Sequence, residues 1–422
     1  MPSKEITPIT VENLPIDIQD GKTYSIAQSN PNTFTHIYFK YPCRFIPEIP
    51  RWAIKKYLGN NKGVIFDPFA GSGTTLLEGI INKHDSYGTE IDSIAKLIIK
   101  VKTTALTNDQ IIYMNTVFKD IIYKVSTADI PVVLPEINNL DHWFSEENKT
   151  YLGKIKYLVD KVDDNDVRDF LNLCFVSIIK KVSYADDVSP KPYVSSKVIK
   201  TPPNALEEYI QVFNRYFNAI KDFSKLEIGN QAKLVEEDAL NIKINFKVDL
   251  AITSPPYINA FDYARTLRLE NLWMGDLSEK DIREKKKDYV GTESLSTIEE
   301  EKDLEILTES NLLNEYYSKI YPIDRKRALV VKRFFSDMKK NLEEVKRILV
   351  VGGHYVIVIG NSTIRKVEIE SWKVIEDIAN NLGFKSELHF DYVIQNPYIR
   401  IPRRNRGGII SFDHVLVLKK IQ

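Results

Sequence analysis

Residues 64–75, VIFDPFAGSGTT, limit what this chain can become more than any other stretch. Val64-Ile65-Phe66 is a short apolar run, which predicts a buried strand. Asp67-Pro68 stops it, and Phe69-Ala70-Gly71-Ser72-Gly73 predicts a tight turn. Its two glycines let the backbone come close to a ligand where any Cβ would clash. Thr74-Thr75-Leu76-Leu77-Glu78 then opens a helix. Strand, glycine turn and helix form the first half of a nucleotide-binding βαβ unit. A P-loop is excluded, because Thr74 stands where that loop requires lysine.

The rest of the chain extends this pattern. Residues 1–35 are polar and contain prolines, which predicts an arm over the surface. Residues 36–47 are aromatic, basic and broken by prolines, so they read as extended. A helix follows from Arg51 to Leu58, with Gly59 as its stop. Ser86 to Asp92 reads as a second strand ending in acids, and Glu90 lies roughly 20 residues beyond the glycine turn, the spacing of a ribose-binding acid. Asp92 reads as the N-cap of the helix that Ser93 opens. Residues 106–229 carry long amphipathic patterns and predict a mostly helical insertion, the region that would read a target. Strands resume at 233–240 and 248–253, the second running straight into Ser254-Pro255-Pro256-Tyr257. A second charged, largely helical insertion spans 258–325, followed by a long helix over 326–348. A strand to Ile359, a helix over 371–382 and strands at 384–392 and 414–418 close the chain. Strands alternating with helices predict an α/β sheet covered on both faces.

Composition narrows the class further. With 422 residues, 43% hydrophobic and 27% charged, the chain reads as an ordinary soluble protein of two or three domains. Lys+Arg and Asp+Glu both number 58, so a polyanion site must come from local clustering. Cys43 and Cys174 give no disulfide framework and suit a reducing cytosol. There is no apolar run of about 18 residues and no apolar leader, so the expectation is a cytoplasmic chain with no membrane span. The histidines and cysteines show no metal-ligand spacing.

Two motifs now stand together: a strand followed by DPFAGSGT, and a strand followed by TSPPY. With them the sequence resembles the S-adenosylmethionine-dependent amino-group DNA methyltransferases, over roughly 36–105 and 230–422. The resemblance implies a doubly wound, Rossmann-like methyltransferase sheet, mostly parallel and seven-stranded, carrying the two helical insertions. It implies that S-adenosylmethionine is held by Asp67, Phe69, Ala70, Gly71, Ser72, Gly73, Thr74, Glu90, Asp238 and Thr253, with Arg44, Phe45 and Pro47 closing over its methionine end. It makes Ser254, Pro255, Pro256 and Tyr257 the catalytic tetrapeptide. In this family SPPY goes mostly with N4 of cytosine, and DPPY or NPPY with N6 of adenine. The implied partner is double-stranded DNA with its target base swung out, in a restriction-modification system that can include a cognate endonuclease. The implied enzyme acts as a monomer.

The chemistry asks for these residue types. An exocyclic amine is a poor nucleophile, because its lone pair is delocalised into the ring. Ser254 Oγ and the Pro255 carbonyl can accept hydrogen bonds from that amine, and the prolines hold the carbonyl without a competing N–H. Tyr257 offers a flat face to an extrahelical base. Arg400, Arg403, Arg404 and Arg406 form the sharpest basic cluster, and Arg265 and Arg268 follow the tetrapeptide; both groups suit phosphate or guanine edges. Pro42-Cys43 supplies the dipeptide of cytosine-C5 chemistry but precedes the glycine turn, where that chemistry has no use for it. Three alternatives stay open: adenine N6 in DNA, guanine N2 in tRNA, and a nucleic-acid-binding protein with a vestigial cofactor pocket.

Overall fold

The computed structural model describes residues 6–9, 17–27, 33–42, 44, 46–236, 238–258, 263–292, 295, 304–395 and 411–422. Strands β1 (Ile6–Ile9), β2 (Thr23–Ile26), β3 (Val64–Asp67), β4 (Asp85–Thr89), β5 (Ala232–Glu236), β6 (Val248–Thr253) and β7 (Leu349–Gly360) are followed by a small hairpin, β8 (Ser362–Ile364) with β9 (Val367–Ile369). β10 (Phe384–Val393) and β11 (Phe412–Lys420) complete the set. Nine strands form one sheet in the order β1-β2-β10-β11-β7-β6-β3-β4-β5. Among the described residues, every pairing in it is parallel except the two made by β11. From β3 the chain steps outward through β4 to β5, then crosses to β6 on the other side of β3. Ligands bind at such a reversal, beyond the carboxyl ends of the strands.

The expected sheet of seven strands is present and carries two more. Residues 6–9 and 23–26, expected to lie over the surface, instead extend its edge. Thr23 and Tyr24 pair with Asp391 and Tyr392 of β10. Thr23 Oγ1 donates to Asp391 at 2.8 Å, and the Tyr24 ring meets Phe390 edge-on at 5.8 Å. A four-residue strand is too short to show periodicity, and its partner lies some 370 positions away, so only the assembled sheet reveals it.

Helix α1 (Glu48–Tyr57) sets Trp52 and Ile54 against one face of the sheet, where they join Val356, Phe390 and Val415 in one core cluster. α2 (Thr74–Ile81) and α3 (Ser93–Thr103) follow β3 and β4. The region after α3 is helical: α4 (Asn108–Thr127), the short α5 (Leu140–Trp143), α6 (Glu146–Val159), α7 (Asn165–Ile179) and α8 (Ala205–Ser224). Side-chain oxygens of Thr107, Ser145, Asp164 and Asn204 cap the four long ones. Phe118, Phe170 and Tyr209 from these helices share one continuous apolar core with Leu77 of α2 and Ile98 of α3. α9 (Tyr263–Thr266), α10 (Arg268–Met274), α11 (Glu279–Lys285) and α12 (Asn311–Ile320) make the second insertion. Trp273 of α10 packs edge-on against Phe144 and Phe175, so the two insertions touch. α13 (Arg325–Ile348) and α14 (Ser371–Asn381) join Tyr355 and Leu416 of the sheet in a further core cluster. No described helix is long and apolar enough to cross a membrane.

Candidate active site

The site grows from the end of β3. Asp67 is fully buried, and its Oδ1 accepts the Phe69 N–H at 3.0 Å and the Thr253 hydroxyl at 2.6 Å. β3 and β6 are parallel neighbours, so one carboxylate ties the glycine turn to the strand leading into Ser254. Burial raises the Asp67 pKa to about 6 against the hydroxyls of Thr253 and Thr75 and the Phe69 N–H. Gly71 and Gly73 have φ of +50° and +74°, a left-handed backbone that strains any other residue. The Gly71 N–H donates to Glu90 Oε2 at 2.8 Å, while Glu90 Oε1 accepts the N–H groups of Ile91 and Asp92 at 2.9 Å. Burial pushes the Glu90 pKa up to about 8 against those backbone donors, with the Asp92 carboxylate adding repulsion. Asp92 itself caps α3 by accepting the Ala95 N–H, and it also takes the Tyr289 hydroxyl at 3.0 Å.

Around the turn opens a cavity with an empty volume of ≈770 Å³, within the usual size of small-molecule sites. Arg44, Phe69, Ala70, Gly71, Ser72, Thr74, Glu90, Asp238, Ser254 and Pro256 all line it. Asp67 and Thr253 lie fully buried at the ends of β3 and β6 and outside its wall. Gly73 forms the N-cap of α2, Pro47 sits at the N-cap of α1, and Pro255 is buried. Arg44 donates from Nη1 to the His36 carbonyl at 2.6 Å. Asp238 spends one oxygen on the Leu240 N–H and is otherwise exposed at the rim. Ser254 Oγ is buried and has no hydrogen-bond partner among the described residues. A buried, unsatisfied hydroxyl costs free energy unless a ligand engages it.

Tyr257 is held from an unexpected side. Its hydroxyl donates to Asp413 Oδ1 at 2.7 Å, and Tyr392 donates to the other oxygen at 3.0 Å. Because β11 runs against β7 and β10, its first residues reach the end of the sheet where the parallel strands finish. Sequence reasoning missed Asp413; an acid opening an apolar strand was its only signal. It also missed Tyr41, Pro42, Ile91, Tyr289 and Val290, which give the cavity apolar walls. Lys102 was missed too. It lies on the apolar face of α3, fully buried, and its amine donates to the Ser72 carbonyl at 2.5 Å beneath the glycine turn. Burial drives its pKa well down, and the Arg44 charge adds to the effect.

Phe45, Arg400, Arg403, Arg404 and Arg406 fall outside the described residues. Arg265 and Arg268 line a separate pocket, and Arg268 is held by Glu279. Among the described residues no group of three or more His, Cys, Asp or Glu could hold a metal ion. The cavity fits S-adenosylmethionine on its own chemistry. Glu90 and Asp238 offer carboxyl acceptors in its wall, Gly71 permits close backbone approach, and Tyr41, Phe69 and Tyr289 give it apolar faces.

Residues 17–101 match the N6/N4 methyltransferase family model, described as DNA methylase. The Type II methyltransferase M.MvaI of Kocuria varians is 26% identical over 425 residues, covering 94% of this chain and 91% of that protein. The Type II methyltransferase M.BsoBI of Geobacillus stearothermophilus is 28% identical over 291 residues, covering 61% of this chain and 56% of its own. A SAM-dependent methyltransferase of Methanosarcina mazei superposes with a TM-score of 0.30 at 8% identity, covering 87% of this chain and 96% of that one. The rRNA methyltransferase aviRa of Streptomyces viridochromogenes gives 0.29 at 8%, covering 90% and 86%.

Proposed function

We propose that this chain, an amino-group DNA methyltransferase by its family match, transfers a methyl group from S-adenosylmethionine to N4 of cytosine in a short duplex sequence. The observation that carries the reading is Ser254 Oγ, a buried hydroxyl without a partner among the described residues, in the wall shared with the glycine turn and Glu90. S-adenosylmethionine supplies an electrophilic methyl on a sulfonium. Glu90 accepts the ribose hydroxyls, Asp238 accepts from the adenine amine, and Arg44 and Pro47 stand at the methionine end. Ser254 Oγ and the Pro255 carbonyl accept from the target amine, turning its lone pair toward the methyl. Tyr257, fixed through Asp413, stacks on the base once it leaves the duplex. The amine's proton leaves to water, and the rate gain comes chiefly from alignment. A serine hydroxyl both donates and accepts, so it also meets the ring nitrogen of cytosine; this favours cytosine over adenine. The enzyme acts as a monomer within a restriction-modification system, one strand at a time.

Methyl transfer from labelled S-adenosylmethionine to mixed genomic DNA, followed by nucleoside analysis, tests this. Label in N4-methylcytosine is the expected result, and mapping it yields the recognition sequence. Label in N6-methyladenine would overturn the role given to Ser254, and label only in tRNA would move the enzyme to RNA.

A further inference from the structure

A second, separate pocket has an empty volume of ≈690 Å³ against ≈770 Å³ for the cofactor cavity. Trp143 of α5, Pro192 and Tyr193 of the loop between α7 and α8, and Arg265 and Arg268 of the second insertion line it. It sets aromatic rings beside two guanidinium groups. The Arg268 guanidinium sits over Trp143, 5.4 Å from the ring centre, and is itself gripped by the Glu279 carboxylate. The Tyr184 N–H donates to the Trp143 carbonyl at 2.8 Å, and the Asp186 N–H to the Tyr193 carbonyl at 2.9 Å. An isolated bridge between Ala185 and Val194 closes the loop that presents Tyr193. Tyr193 is 46% exposed, an aromatic face on this tied loop and open to solvent. Nearby carboxylates are already matched: Glu279 by Arg268, Asp141 by Lys149 and Asp187 by Lys200.

Residues of α9 line two spaces. Its Ala264 shares a small cavity with Ile91 and Tyr289, which line the cofactor site, while its Arg265 lines the basic, aromatic pocket. α9 begins six residues beyond Tyr257.

Resting on the proposed function, we infer that this pocket receives a second extrahelical nucleobase, stacked on Tyr193 and Trp143, while the target base occupies the Ser254 site. Swinging out one base leaves its partner and its neighbours unstacked, and a rigid aromatic face beside a cation is what binds an unstacked base. The base can come from opposite the target or from a flanking position on the same strand.

Both sources are tested on a duplex carrying the mapped site, with 5-iodouracil placed in turn opposite the target and at each flanking position, then irradiated with full-length protein. The expected result is a cross-link from one position to a peptide containing Tyr193 or Trp143, and that position names the source. Tyr193→Ala and Trp143→Ala should each weaken DNA binding about tenfold, Tyr193→Phe should retain it, and all three should keep wild-type affinity for S-adenosylmethionine. The inference is overturned by cross-links confined to other peptides, or by alanine variants that bind DNA like wild type. Wild-type protein that methylates its DNA while failing these tests sinks only the second-base site. Wild-type protein that methylates no DNA removes both readings.

Discussion

Glu90 shows how much one side chain can carry at this site. Three backbone N–H groups fix it, yet burial still raises its pKa to about 8. At pH 7 the free protein therefore holds it mostly protonated. Ribose hydroxyls and a nearby sulfonium favour the carboxylate, so cofactor binding at pH 7 should release protons and tighten as pH rises toward 8. Calorimetry in buffers of different ionisation enthalpy checks this; binding heats independent of buffer would defeat it. For stability the sign is opposite. A folded-state pKa above the usual 4.5 means the native state binds the extra proton between the two values, so this contribution is full below about 4.5 and lost as pH climbs through 8. Glu90→Gln keeps an acceptor but loses the charge, and should weaken S-adenosylmethionine about ten- to a hundredfold. Tyr257→Phe keeps the ring and loses the bond to Asp413. It should lower kcat about tenfold with cofactor affinity unchanged, whereas a change confined to cofactor affinity would remove the tyrosine from the base site. The glycine turn, Glu90 and the tetrapeptide were legible because each is a local pattern at fixed spacing. Asp413 was not, since 156 positions separate it from the tyrosine it holds.

Between elements, Glu78 of α2 is the fastener. It is 1% exposed and takes His36 at 2.9 Å from the turn before α1 and Arg51 at 2.7 Å from α1 itself. Burial raises its pKa, but the bonds from His36 and Arg51 outweigh that and leave it below the usual 4.5. This stabilisation is present above 4.5 and lost as pH falls through the folded value. Glu78→Ala should cost about 3 kcal/mol, seen as a lower urea midpoint, because it leaves a guanidinium facing an empty buried site. A midpoint unchanged from wild type would show the cluster to be dispensable. Helices were legible where amphipathic periodicity runs long, as in α4; its capping box at Thr107 with Gln110 appears only in the structure. The two N-terminal strands were not, because four residues beside prolines carry no period.

Across the whole molecule, the first insertion shares one apolar core with α2, α3, α10 and α11, α10 joining it through Trp273, while α12 packs in the core of α13 and α14. The sequence outlined both insertions but could not place them against each other, since every contact between them is long-range. The reversed direction of β11 sets an order of events in time. The glycine turn, Thr89 and Glu90 of the cavity wall come from residues close together in the chain, and Asp288, Tyr289 and Val290 also line it. Tyr257, proposed to hold the base, gains its anchor only when a strand more than 150 residues further along pairs beside β7. On refolding from denaturant, the grip on S-adenosylmethionine should return first and methyl transfer after a lag. Simultaneous recovery of the two would mean that the sheet closes in a single step.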